Sequence, residues 1–198
     1  KTDEGTSIYA DALCADGSSM VTEFIYWSDY YNSIISPFYS YSTGRTKETL
    51  RSSQVTCRDI DDDGYIEIPE DTSSKKQSSE ITSQNWVNYG NTVLSHKCYS
   101  FSCKRDGYIL VIDDDDFSKV KANYDSESRK LTIINKKNKS NVFEIVTLIN
   151  SNYSVNDPKY KDYTMIMKNS GFVYLAKVNK SSDIDINIQT LKDMIKVY

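Results

Sequence analysis

Apolar and polar positions alternate in short runs along the first seventy residues of this 198-residue chain, the period-two pattern of strands half-buried on a pleated sheet. SIYADALC and MVTEFIYW are rich in β-branched and aromatic residues, and they flank the turn ADGSS, so they predict a hairpin. Strand-like pieces follow over 34–39, 46–50, 54–57 and 65–68, a β-meander without helical periodicity. Residues 71–84, DTSSKKQSSEITSQ, carry a single apolar side chain and read as a solvated linker. The organisation expected is a β-rich module over 1–70, a polar linker over 71–84 and a second domain over 85–198.

In that second domain the alternation resumes over 86–89, 93–101, 107–112, 120–124, 131–135, 142–149, 163–168 and 172–178. The last two runs flank Asn169, Ser170 and Gly171, residues that tolerate the positive φ of a tight hairpin. The pattern changes at the end of the chain. Ile184, Ile188, Leu191 and Ile195 form one apolar stripe of a helix that starts with acids and ends with lysines. A mostly antiparallel sheet with few helices is an α+β fold.

Composition narrows the classes of function. The net charge is −4, from 24 basic and 28 acidic side chains, and the lysines are scattered, so no basic stripe tracks a phosphate backbone and nucleic acid is not an expected partner. No apolar run reaches the 18 residues or so of a membrane span. The chain opens KTDEGTS without an apolar targeting segment, which suits a mature product whose signal has been removed. A vocabulary of Tyr, Ser, Asn, Asp and Thr, with 16 tyrosines, suits an exported bacterial protein from a low-GC genome. Four cysteines allow three disulfide connectivities or free thiols; on one continuous strand Cys98 and Cys103 would lie roughly 16 Å apart, too far to pair.

One segment carries definite chemistry. In DIDDDGYIEIPE, residues 59–70, the alternating Asp59, Asp61 and Asp63 let a curved backbone aim three carboxylates inward, and Gly64 takes the conformation that closes the turn. The Tyr65 carbonyl and the Glu67 carboxylate complete an all-oxygen shell for a hard cation, calcium above all. Glu70 stands at the twelfth position, where an EF-hand places its bidentate acid, but RSSQVTCR is strand-like and Pro69 breaks any exiting helix. The expected site is therefore a β-type calcium loop, with Glu67 preferred over Glu70 and a structural role for the metal. The second acidic run, Asp113–Asp116, reads as a solvated turn that caps a short helix at Phe117 and Ser118.

The stretch 27–44 gathers Tyr30, Tyr31, Tyr39 and Tyr41, rings with a polar edge of the kind that stacks on sugars or grips a peptide; a cell-envelope glycan or protein is the partner this suggests. Catalytic motifs are few. A single histidine, His96, excludes HExxH and two-histidine metal sites, and the chain has no G-x-S-x-G, P-loop or G-x-G-x-x-G. The expectation is a non-catalytic protein. The rival reading, a cell-wall or glycan hydrolase, requires two facing carboxylates in a cleft.

The segment DGYILVIDDDDFSKVKANYDSESRKLTI resembles the DGY-x-F-x-IP-x-x-W-x-x-KV pattern of a domain in exported lipoproteins of low-GC Gram-positive bacteria, with Ile112 and Asp113 in place of Ile-Pro and Phe117 in place of Trp. That domain is similar to the PsbP-like sandwich, and VFEIVTLI and the final hairpin follow in the same order. Ahead of it, VTEFIYW and SSQVTCRDIDDDGYIEIPE resemble an FG-GAP or integrin-type propeller blade. The resemblance implies an extracytoplasmic location, with anchoring to the cell surface through a removed lipoprotein signal. A single blade cannot close a propeller, so either a longer amino-terminal part or packing of the blade on the second domain is expected.

Overall fold

The computed structural model describes residues 6–46, 48–72, 80–90, 92–154, 157–179 and 184–198. Its regular structure is mostly antiparallel sheet, with two short α-helices among the described residues. None of these helices is long and apolar enough to cross a membrane. The chain divides into two compact units, Lys1–Ser73 with Ser83–Tyr99 and Ser74–Thr82 with Ser100–Tyr198.

The first unit begins with the predicted hairpin, β1 (Ser7–Leu13) and β2 (Met20–Ser28), paired in register from Ser7↔Tyr26 to Leu13↔Met20. Its turn is shaped by Asp16, whose carboxylate accepts the Ser18 and Ser19 N–H groups, and by Gly17 at φ +68°. β3 (Ser33–Ile35) adds to β2, and β4 (Tyr39–Ser40) pairs with β5 (Arg45–Thr46). Alternate residues of β2, Thr22, Phe24, Tyr26 and Ser28, point inward. Phe24 and Tyr26 meet Phe38, Ile68, Val87 and Tyr89 in one largely aromatic core.

β6 (Ile68–Asp71) pairs with β7 (Ile81–Gly90), from Ile68↔Val87 to Asp71↔Gln84. The expected linker over 71–84 is corrected by this pairing. Asp71 ends one strand and residues 81–84 begin the next, so their backbone groups are bonded to each other, whereas residues 73–79 lie outside the described residues. The two units thus share the chain differently from a cut at 71–84, and β7 and β8 (Val93–Cys103) each contribute to both. The expected strand over 54–57 is also absent. Cys57 N–H donates instead to the Asp11 carboxylate and Val55 C=O accepts from Arg51 Nε, so side chains take two of this segment's backbone groups.

In the second unit β10 (Val120–Asp125), β11 (Lys130–Asn135), β12 (Asn141–Ile149), β14 (Phe172–Val178) and β13 (Thr164–Lys168) form an antiparallel sheet in that order. These strands lie within about a residue of the predicted runs. β9 (Tyr108–Ile112) precedes α1 (Asp114–Lys119), which carries three acids in its first turn, where they complement the helix dipole. The terminal helix is shorter than its stripe predicts. Asn187 caps α2 (Ile188–Met194) by accepting from Gln189 and Thr190 N–H, and Ile195 turns extended to begin β15 (Ile195–Val197), which pairs with β9. Ile184, Leu191 and Ile195 still reach the core of this unit. At its centre the fully buried Asp106 accepts from Arg129 Nε at 2.8 Å and Nη2 at 2.6 Å and from Tyr124 Oη at 2.8 Å.

Candidate metal loop

The loop is closed by an isolated antiparallel bridge. Arg58 N–H donates to Glu67 C=O at 3.0 Å and Glu67 N–H to Arg58 C=O at 2.9 Å, so residues 59–66 must return on themselves. Two positive φ values make the turn, Asp62 at +64° and Gly64 at +89°. Asp59 braces it from inside: its two carboxylate oxygens accept from Asp63 N–H at 3.0 Å and Gly64 N–H at 2.9 Å. Ile60 anchors the loop as a fully buried side chain.

Of the five expected ligands, three side chains converge. One oxygen each from Asp59, Asp61 and Glu67 lie within 4.8 Å of one another. Calcium–oxygen bonds of about 2.4 Å place the oxygens of one shell within such a distance. Asp63 turns elsewhere, with Oδ1 accepting from Tyr65 N–H at 2.9 Å and Oδ2 from Lys97 Nζ at 2.5 Å. Tyr65 therefore contributes its N–H to the loop's own bracing. Glu70 is engaged outside the loop, accepting from Asn85 Nδ2 at 2.9 Å.

Glu67 is the unusual member. Its side chain is fully buried; Oε2 accepts from Ile60 N–H at 3.0 Å, and Oε1 has no hydrogen-bond partner. Burial pushes this carboxyl up to about 7; the charges of Asp61, Asp63 and Asp59 push the same way, and the Ile60 N–H opposes them. Asp63 shifts oppositely: the hydrogen bond from Lys97, then that from Tyr65 N–H, holds it below the usual carboxylate range. Lys97, on β8, also reaches Asp61 Oδ2 at 3.1 Å. Sequence reasoning does not single out this lysine, since it lies 34 residues from Asp63 and nothing local marks it.

The segment preceding the loop is held by a buried ion pair. Arg51 donates from Nη2 to Asp11 Oδ1 at 2.7 Å, from Nη1 to Thr22 Oγ1 and Thr49 C=O, and from Nε to Val55 C=O. The other oxygen of Asp11 accepts Cys57 N–H at 2.7 Å, two residues before Asp59.

The four tyrosines form two exposed edge-to-face pairs, Tyr30 with Tyr31 at 4.8 Å and Tyr39 with Tyr41 at 5.1 Å. Tyr39 lines a cavity of about 670 Å³ together with Val21, Glu23, Arg45 and Leu50. His96 bonds through Nδ1 to Asn85 Oδ1 and packs on Tyr99 at 4.5 Å. The four cysteines are free thiols; Cys103 is buried, and burial pushes Cys57 and Cys103 up to about 12, which suppresses the nucleophilic thiolate. No family model, no curated protein and no solved structure matches this chain.

Proposed function

We propose that this chain is a non-catalytic extracytoplasmic module that binds or scaffolds at the cell envelope, with a calcium ion holding the 59–67 loop of its first unit. The observation that carries the metal reading is Glu67 Oε1, a buried carboxylate oxygen without a partner, grouped with carboxylates of Asp59 and Asp61. An unpaired buried charge is costly, and a divalent cation is the partner that three clustered carboxylates call for. Asp59, Asp61 and Glu67 would hold the ion, and its role would be to neutralise the loop and fix its closure.

The wider reading rests on the resemblance of residues 1–70 to a propeller blade and of residues 85–198 to a PsbP-like domain; what the architecture supports is a sheet-rich, mostly antiparallel fold. For the binding role, Tyr39 lines a cavity beside the charged groups of Arg45 and Glu23 and the apolar surface of Leu50. An aromatic ring with convergent polar groups suits an envelope glycan.

Isothermal titration of the 198-residue chain with calcium tests the metal, with Glu67→Gln as the control. Wild type is expected to bind and to melt higher with calcium than with chelator, and Glu67→Gln to lose both responses. Absence of heat and of any melting shift at millimolar calcium refutes the reading.

A further inference from the structure

One basic group from outside the loop, Lys97 of β8, sits on its acidic rim. Lys97 Nζ lies 2.5 Å from Asp63 Oδ2 and 3.1 Å from Asp61 Oδ2, so it sits on one carboxylate of the converging trio and on the expected ligand that the trio lacks. We propose that Lys97 is a built-in competitor cation: its ammonium neutralises the rim of the loop in the ion-free protein, and calcium must displace it, which frees Asp63 to join the shell. This rests on the calcium reading above.

The charges make the competition unavoidable. Asp59, Asp61, Asp63 and Glu67 crowd one loop, and an ammonium on Asp61 and Asp63 offsets part of their mutual repulsion. A calcium ion on Asp61 would lie on the order of 6 Å from that ammonium, given cation–oxygen bonds of about 2.4 Å. Even at the dielectric constant of water, a double and a single positive charge at that separation repel enough to weaken calcium binding about tenfold. Lys97 can leave: its side chain keeps 30% exposure, and Asp61 and Asp63 keep 30% and 32%, so the ammonium exchanges this site for water without passing through the core.

Lys97 does not satisfy the loop in the way a metal would. Its two contacts are on the exposed rim, while Glu67 Oε1 at the buried end stays without a partner. The lysine therefore competes for the site without replacing the ion, and Asp63 has two alternative partners.

Calcium titration of wild type, Lys97→Met and Lys97→Gln tests this, with Asp63→Asn placed in the Lys97→Met background. Both lysine variants keep an uncharged side chain at a partly exposed position, and circular dichroism with chelator verifies their folding. At low ionic strength, about tenfold tighter calcium binding is expected in both, and Asp63→Asn is expected to reverse most of the gain. Affinity equal to or weaker than wild type in both variants overturns the proposal and leaves the calcium reading standing. If wild type and both variants give no heat and no melting shift, the calcium reading fails and the competitor role fails with it.

Discussion

Replacing Asp11 by Ala would test what holds the metal loop to its unit. The Arg51 side chain is fully buried, with four donations and one carboxylate partner, Asp11, which is itself 13% exposed. Removing that partner leaves a buried guanidinium without a counter-charge, which costs about 3–5 kcal/mol. The Cys57 N–H also loses its acceptor, worth about 1 kcal/mol more where no water reaches it. Against typical domain stabilities of about 5–15 kcal/mol this is a large fraction.

Both tryptophans, Trp27 and Trp86, belong to the first unit, so urea unfolding followed by their fluorescence reports on it directly. In a double-mutant cycle with Arg51→Met, the double variant is expected to be less destabilised than the sum of the singles, because no orphaned charge remains. The pH dependence has a definite sign. Burial pushes the Asp11 carboxyl up, but hydrogen bonds from Thr22, Cys57 and Arg51 outweigh it and hold the group below its ordinary value. Its contribution is thus present above about pH 4 and is lost as pH falls through the depressed value, and Asp11→Ala should flatten that acid limb. A cost under 1 kcal/mol, or strict additivity in the cycle, would refute the reasoning. Since Asp11 bonds two residues ahead of Asp59, weaker calcium binding is expected as well.

Gly64→Ala should cost about 1–2 kcal/mol in melting experiments through backbone strain alone, because φ is +89° while an added Cβ would meet nothing within 4 Å. A neutral outcome would show that the turn relaxes, and with it the bracing by Asp59. In the second unit, Asp106→Ala should cost about 3 kcal/mol or more by chemical denaturation, as it strips Arg129 and Tyr124 of their shared buried acceptor. A loss under 1 kcal/mol would mean that water takes the carboxylate's place.

Much of the strand content is legible in the chain because alternation is a property of adjacent residues: β9 to β14 follow their apolar runs closely. The loop is legible for the same reason, since acids at alternate positions, Gly64 and Pro69 act within a dozen residues and favour Glu67 over Glu70. The polar stretch 71–84 misleads because composition reports solvation, whereas β6 and β7 are joined by backbone bonds that polar strands make as well as apolar ones. The terminal helix overruns for a related reason: the stripe continues through Ile195, and only pairing with Leu110 makes that residue extended.

Sequence alone determined the antiparallel, strand-rich character and the carboxylate spacing of the loop, both products of local periodicity. Tertiary structure decided which carboxylates converge, that Glu67 is buried with one oxygen unmet, and that Lys97 sits on Asp61 and Asp63. Ion pairs spanning 34 residues, or 40 for Arg51 with Asp11, depend on how strands are brought side by side, and no local pattern encodes that.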